Sequence, residues 1–344
     1  MLARRVVGVT PRRKTLTVRG VGDDIDLPRN DLTVVDGHYG LWFGKEFEHH
    51  ALIGPVVSLR GARVTRRVLK TTAPISSEPF EAHWTGHIMS GPGEIDPDWT
   101  DVTVPLCDGA AAPAWLLHGK SLNAPWVIHV QGIRTSRLVA LRSVDAAASG
   151  GLTSLVITYR GSGDGPHAGA SMLGQCEWRD LADAVAFARS QGATAVYVVA
   201  WSMAAGLALN LLQHDPTAFD RLALIAPATD WRAIIRHGVH RARLPRIAAT
   251  AVMQALGSRK VSRWLGLAAP LDFESLDWLR RPSVEVPTVV VHSAGDEEIP
   301  FSLSRRFLSM NGDSVLVETI PAPHGWEANV DSAAFDSALA TWLE

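Results

Sequence analysis

The chain has 344 residues, 47% hydrophobic and 20% charged, the balance of a globular protein with one large or two modest domains. A formal net charge of −2 points to neither nucleic acid nor an anionic membrane surface as partner. No apolar run approaches the roughly 18 residues of a membrane span. The start, Met-Leu-Ala-Arg-Arg-Val-Val-Gly, lacks the apolar stretch of a signal peptide. Cys107 and Cys176 have no metal-type spacing and read as reduced thiols of a cytoplasmic protein.

Residues 1–100 read as a β-rich N-terminal region. Segments 3–9, 14–19, 31–35, 51–59 and 63–69 carry β-branched side chains in partial alternation. Turn signals at Gly20, Gly22, Pro28, Gly37, Gly54-Pro55 and Gly91-Pro92-Gly93 separate them. No repeat is present, which excludes a propeller. His49-His50 has no third ligand at useful spacing and reads as an exposed loop.

From Asp101 onward strands and helices alternate. Segments 102–106 and 114–117 form a hairpin pair, and 126–130 is a buried strand followed by a helix over 136–148. Strands at 155–159, 195–200, 222–225, 289–292 and 314–320 alternate with helices, among them 177–189 and 332–343. Such alternation predicts an α/β fold, a mostly parallel sheet covered by helices on both faces, with the hairpin pair antiparallel at one edge. Between Pro227 and Pro287 the alternation stops, and helical segments at 231–240, 247–256 and 261–267 replace it. This insertion, about 229–286, has the place of a helical cap over the carboxyl ends of the strands.

The chemistry concentrates in Val196 to Leu212, where a strand passes at once into a helix through Ser202. Ala200 and Ala204 flank the serine at minus two and plus two, where a larger side chain would strike the neighbouring strand and helix. That is the steric pattern of a nucleophile elbow, usually built with glycines. A serine nucleophile needs a base and a carboxylate to orient the base, here in the order Ser, Asp, His. Asp296 follows the strand Val-Val-Val-His, and His324 follows the last strand in Pro-Ala-Pro-His-Gly-Trp. Both loops leave the carboxyl ends of strands, where open α/β sheets hold their sites. Glu297, Glu298 and Asp230 are rival acids, with Asp230 read more simply as the N-cap of the first inserted helix. An oxyanion would be held by the backbone N–H of Met203 and that of Ile133, in the loop Gln131-Gly132-Ile133-Arg134.

Taken together these motifs resemble the α/β-hydrolase family. The likeness covers residues 100–344 through Val-Ile-His-Val-Gln-Gly (127–132), Ile-Thr-Tyr-Arg-Gly (157–161), Glu-Trp-Arg-Asp (177–180), Ala-Trp-Ser-Met-Ala-Ala (200–205) and His-Gly-Trp-Glu-Ala-Asn-Val-Asp (324–331). It is nearest to a bacterial, largely actinobacterial branch of serine hydrolases related to the prolyl-oligopeptidase and dienelactone-hydrolase groups. The resemblance implies Ser202 as nucleophile, His324 as base and Asp296 as its orienting acid. The chain departs from the family at Gln131, where histidine is usual, and at Ala200 and Ala204.

The expected activity is hydrolysis of a small-molecule carboxylic ester through an acyl-enzyme. An amidase or peptidase of the same mechanism and a non-catalytic binding protein of the same fold are the alternatives. Trp201, Trp326, Ile133, Met203 and the cap would shape an apolar pocket, while Arg134 and Arg137 beside the loop read first as helix-capping or solvent-facing side chains and only second as a hold for an anionic group. No phosphate-binding glycine loop or metal cluster implies a cofactor. A homo-oligomer stays open.

Overall fold

The computed structural model describes residues 2–10, 15–121 and 124–344. The N-terminal part is a closed six-stranded barrel: β1 (Thr15–Val21), β2 (Asp24–Pro28), β3 (Tyr39–Phe43), β4 (His49–Arg60), β5 (Arg63–Thr71) and β6 (Phe80–Thr85). All its pairings are antiparallel, in the order β1-β2-β5-β4-β3-β6. Ile25, Leu27, Tyr39, Leu41 and Ile53 fill the interior. One cation lies among them. Arg66 is 0% exposed and donates to the carbonyls of Gly54, Thr33, Val35 and Gly37.

That arginine and its neighbours correct the expected strand at 31–35. Asn30 Oδ1 accepts from the Leu32 and Thr33 amides, which winds the chain into a turn, and the carbonyls beyond it face Arg66 rather than a partner strand. The expected strand at 3–9 is instead a helix, α1 (Leu2–Val7). The guanidinium of Arg134 donates to the carbonyls of Arg5, Val6 and Gly8, satisfying the end of that helix. Nor is His49-His50 an exposed loop. The pair opens β4, and His50 is 4% exposed with its Nε2 on the His87 carbonyl.

The second part is an eight-stranded sheet: β7 (Thr100–Pro105), β8 (Ala111–Leu117), β9 (Trp126–Val130), β10 (Thr153–Ile157), β11 (Val196–Trp201), β12 (Arg221–Ile225), β13 (Thr288–Ser293) and β14 (Val315–Thr319). The order is β14-β13-β12-β11-β9-β10-β8-β7. The strands from β9 to β14 pair in parallel, and β7 and β8 form the antiparallel edge. Helices α2 (Leu141–Ser149) and α10 (Ser332–Leu343) cover one face. Helices α3 (Trp178–Ser190), α4 (Ala204–His214) and α8 (Phe301–Met310) cover the other.

Between β12 and β13 the chain leaves the sheet for α5 (Trp231–Arg241), α6 (Ile247–Gly257) and α7 (Arg259–Trp264). Asp230 caps α5, its side chain accepting from the Ala233 amide at 3.0 Å. A bridge between Asp230 and Asp277 closes the base of the insertion, and α1 packs on α6. A short helix after His324, α9 (Glu327–Val330), leads into α10. No helix among the described residues is long and apolar enough to cross a membrane.

Candidate active site

Ser202 sits in the turn between β11 and α4 with φ of 54°, a left-handed conformation that a non-glycine residue adopts only under constraint. The constraint is visible: its amide donates to the Ile225 carbonyl at 2.8 Å, and its carbonyl accepts from Ala205 and Ala228, each at 3.1 Å. Ala200 and Ala204 are fully buried, so the space beside the turn is already filled by one methyl each.

Three side chains meet above the sheet. Ser202 Oγ lies 2.8 Å from His324 Nε2, and His324 Nδ1 donates to Asp296 Oδ2 at 2.6 Å. The carboxylate can only accept, so Nδ1 carries the proton and Nε2 presents its lone pair to the serine. Asp296 Oδ1 accepts from the Glu298 and Ile299 amides at 2.8 and 2.9 Å. Burial opposes ionisation of Asp296, yet the His324 and His292 imidazoles hold its carboxyl well below the usual carboxylate range. Burial likewise disfavours a charged His324, but the Asp296 carboxylate overrides it, with Glu298 and Glu327 adding to the pull. His324 therefore keeps its proton more tightly than a free imidazole.

Sequence reasoning passed over several neighbours of this row. His292, on β13, donates from Nε2 to the same Asp296 oxygen at 3.0 Å, and the Ser304 hydroxyl donates to its Nδ1 at 2.7 Å. Its signal was its place four residues before Asp296, at the end of a buried strand. Glu327 is fully buried, with no hydrogen-bond partner on either carboxyl oxygen, and burial raises its proton affinity. His292, Asp296 and Glu327 each bring one ligand-type atom within 4.8 Å of the others, but His292 and Asp296 are already engaged in the histidine–carboxylate chain. Arg142 is buried over the Trp201 ring, 4.6 Å from its centroid, and donates to the Gly325 carbonyl at 2.9 Å.

The loop after β9 passes against the serine. A Cβ at Gly132 would stand 3.1 Å from Ser202 Cβ and 3.3 Å from the Trp201 carbonyl oxygen, so a side chain there would press on the serine. The Tyr159 hydroxyl donates to the Gly132 carbonyl at 2.9 Å and fixes the peptide plane that carries the Ile133 N–H. Met203 is the N-cap of α4, and its side chain is in the core rather than in a pocket. Gln131 is buried below the loop and donates to Ser162 Oγ at 3.0 Å.

A cleft of about 550 Å³ opens over Ser202 and His324. Leu2 and Val6 of α1, Ile234, Ile235 and Val239 of α5, and Val252 of α6 line its apolar side, with Ile133 at its floor. The barrel reaches it through Gly86 and His87, the latter 3.5 Å from Thr135 Oγ1. Trp201 borders the cleft but is 2% exposed, its ring packed with Phe335 in the core beneath the elbow. Trp326 borders it from the side and meets the barrel residue Tyr39, the ring centroids 4.7 Å apart and the planes tilted by 55°. Arg134 also borders the cleft, but its guanidinium is occupied by the end of α1, and Arg137 pairs with Asp164 at 2.6 Å. Of the rival acids, Asp230 caps α5 and Glu297 pairs with Arg241, while Glu298 lines the cleft.

Comparison with known proteins follows the same division. The model of a domain of unknown function (DUF8805) matches residues 17–85, the span of the barrel. No curated protein matches the chain by sequence. Among solved structures the chain is similar to the esterase Pf2001 of Pyrococcus furiosus, with a TM-score of 0.57 at 17% identity over 74% of this chain and 95% of that one. It is also similar to Est1E from Butyrivibrio proteoclasticus, with a TM-score of 0.52 at 14% identity over 71% of this chain and 97% of that one. The fold is that of the α/β hydrolases. A further structure of Est1E holds ferulic acid, at a TM-score of 0.51 and 14% identity over 70% of this chain and 97% of that one.

Proposed function

We propose that the chain is a serine hydrolase that cleaves a small-molecule carboxylic ester through an acyl-enzyme. One observation carries the reading: the unbroken row from Ser202 Oγ through His324 to Asp296, with 2.8 and 2.6 Å links. His324 Nε2 takes the hydroxyl proton as Ser202 Oγ attacks the ester carbonyl. The N–H groups of Met203 and Ile133 receive the developing oxyanion. The imidazolium then gives its proton to the departing alcohol, leaving an acyl group on Ser202. Water enters, His324 takes its proton, and attack on the acyl carbon releases the acid and restores the hydroxyl.

Asp296 holds His324 in the tautomer this cycle needs. The His292 N–H and two backbone amides on the same carboxylate favour its charged form, so it stays acceptor-only. The inserted helices act as a cap. Their apolar residues, with Leu2 and Val6, suit an apolar acyl or alcohol group better than a charged one. Arg134 does not supply an anion site in this reading, since its donors serve the end of α1.

The test is turnover of chromogenic esters of graded acyl length and their matched anilides, by the wild type and by Ser202→Ala. Ester cleavage that favours apolar acyl groups and disappears in Ser202→Ala is the expected result. Equal rates in the two proteins would overturn the reading, and faster cleavage of the anilides would move it to an amidase.

A further inference from the structure

The segment that carries His324 is fastened to the sheet through Ser293, whose hydroxyl accepts from the Ala322 amide at 2.7 Å, and beyond the histidine it is fastened to the barrel. Immediately after His324 and Gly325, the Trp326 ring packs against the barrel core and meets the fully buried Tyr39 of β3. Three residues further on, Asn329 is 1% exposed and reaches the barrel with main chain and side chain together. Its carbonyl accepts from the His38 amide at 3.0 Å, and its Nδ2 donates to the carbonyls of His38 at 2.6 Å and Gly86 at 3.0 Å. Its Oδ1 accepts from Arg142, whose second nitrogen holds the Gly325 carbonyl next to the histidine.

The Asn329 amide thus spends both donors on the barrel and its acceptor on α2. Aspartate would turn an oxygen toward two carbonyls, and glutamine would be one methylene too long. The barrel is shaped to receive this contact. Gly37 has φ of +127°, and a Cβ there would stand 2.2 Å from the Asn329 carbonyl oxygen. A Cβ at Gly86 would stand 3.0 Å from Asn329 Oδ1 and from Trp326 Nε1. Two glycines on separate barrel loops allow the close approach to one short segment.

We infer that the barrel, the part matched as a domain of unknown function, is the frame that holds the general-base loop, with Asn329 as a positioning residue. The inference rests on the reading of His324 as the base. It gives the barrel a task in the reaction although it supplies none of the three reacting side chains. The route is short: barrel carbonyls fix Asn329, Asn329 fixes Arg142, and Arg142 and Trp326 fix the residues on which the imidazole is hinged.

Four full-length variants test this. Asn329→Asp and Gly37→Ala break the clamp from its two sides. Ile25→Val trims the barrel core on β2, away from β3 and the clamp. Ser202→Ala reports on the underlying reading. Each is measured for melting temperature, for kcat and KM on the best ester, and for the low-field proton resonance of the His324 Nδ1–H in its bond to Asp296. The clamp variants should lose roughly 10- to 100-fold in kcat, with KM within about threefold of wild type. Their low-field resonance should broaden or vanish. Ile25→Val should lower the melting temperature and leave kcat and the resonance in place.

If Asn329→Asp and Gly37→Ala melt lower yet keep kcat and the resonance, the barrel is packing support only and the inference is overturned. Should Gly37→Ala fail to fold, the near-isosteric Asn329→Asp decides alone. Full turnover in Ser202→Ala would instead remove the hydrolase reading, while the resonance would still show whether the clamp holds the imidazole.

Discussion

The parallel sheet and the barrel hide their chains from water in different ways. In the sheet, β9, β10 and β13 are buried at every residue, because helices lie on both faces. Their sequences are therefore largely apolar, and the buried His129 and His292 among them are hydrogen-bonded to the serines Ser143, Ser154 and Ser304. In the barrel, β1 and β5 alternate between buried and exposed positions, and the interior is closed by an arginine. Arg66 touches the Tyr39 and Trp84 rings and gives its protons to three loop carbonyls and to that of Gly54, at an irregularity of β4. The sheet is held together mainly by apolar burial. The barrel depends in addition on one buried charge whose loss strands several groups at once.

The largest effect is expected on the sheet side, which carries the proposed nucleophile, base and orienting acid. Asp296→Asn should keep the fold and lower kcat by roughly 10⁴-fold, because an amide no longer holds His324 in the working tautomer. Circular dichroism together with initial rates checks this. The matching cut in the barrel is Arg66→Met. It should cost about 3 kcal/mol or more by leaving the carbonyls of Thr33, Val35, Gly37 and Gly54 without donors, as urea titration would report.

A gentler probe uses pH. His324 must be neutral to accept the Ser202 proton, and its proton affinity is raised. A raised pKa keeps the inactive imidazolium present to higher pH, so kcat/KM should fall with falling pH along a limb that lies above 6.5, the value of a free imidazole. A pH–rate profile on a neutral ester measures it, and a limb at or below 6.5 would count against the Asp296–His324 pair. The smallest effect belongs to the insertion. Asp230→Ala removes the side-chain bond to the Ala233 amide and should lower stability by about 1 kcal/mol, with little change in kcat.

What was legible in the sequence follows the same line between the two regions. The strands from β9 to β14, the edge hairpin, the inserted helices and the turn at Ser202 all announce themselves through apolar runs and small residues. The meeting of Ser202, Asp296 and His324 was legible because each sits on the loop after its own strand. The barrel was harder to read. Segment 31–35 is as β-branched as a strand, but Asn30 and Arg66 turn it into a capped loop. Segment 3–9 reads as a strand, but Leu2 and Val6, one helical turn apart, face the cleft from a helix that Arg134 terminates. His292 could have been found from its place four residues before Asp296, but Asn329 and Arg142 carry no local sign of their contacts. Their partners are remote in sequence, and only the folded chain brings them together beside His324.

The most direct measurement of the central claim is mass spectrometry of the protein after exposure to a fluorophosphonate. One adduct mapped to Ser202, absent in Ser202→Ala and formed far more slowly in His324→Ala, is the predicted result. A wild type that stays unlabelled, or an adduct on any other residue, would contradict it.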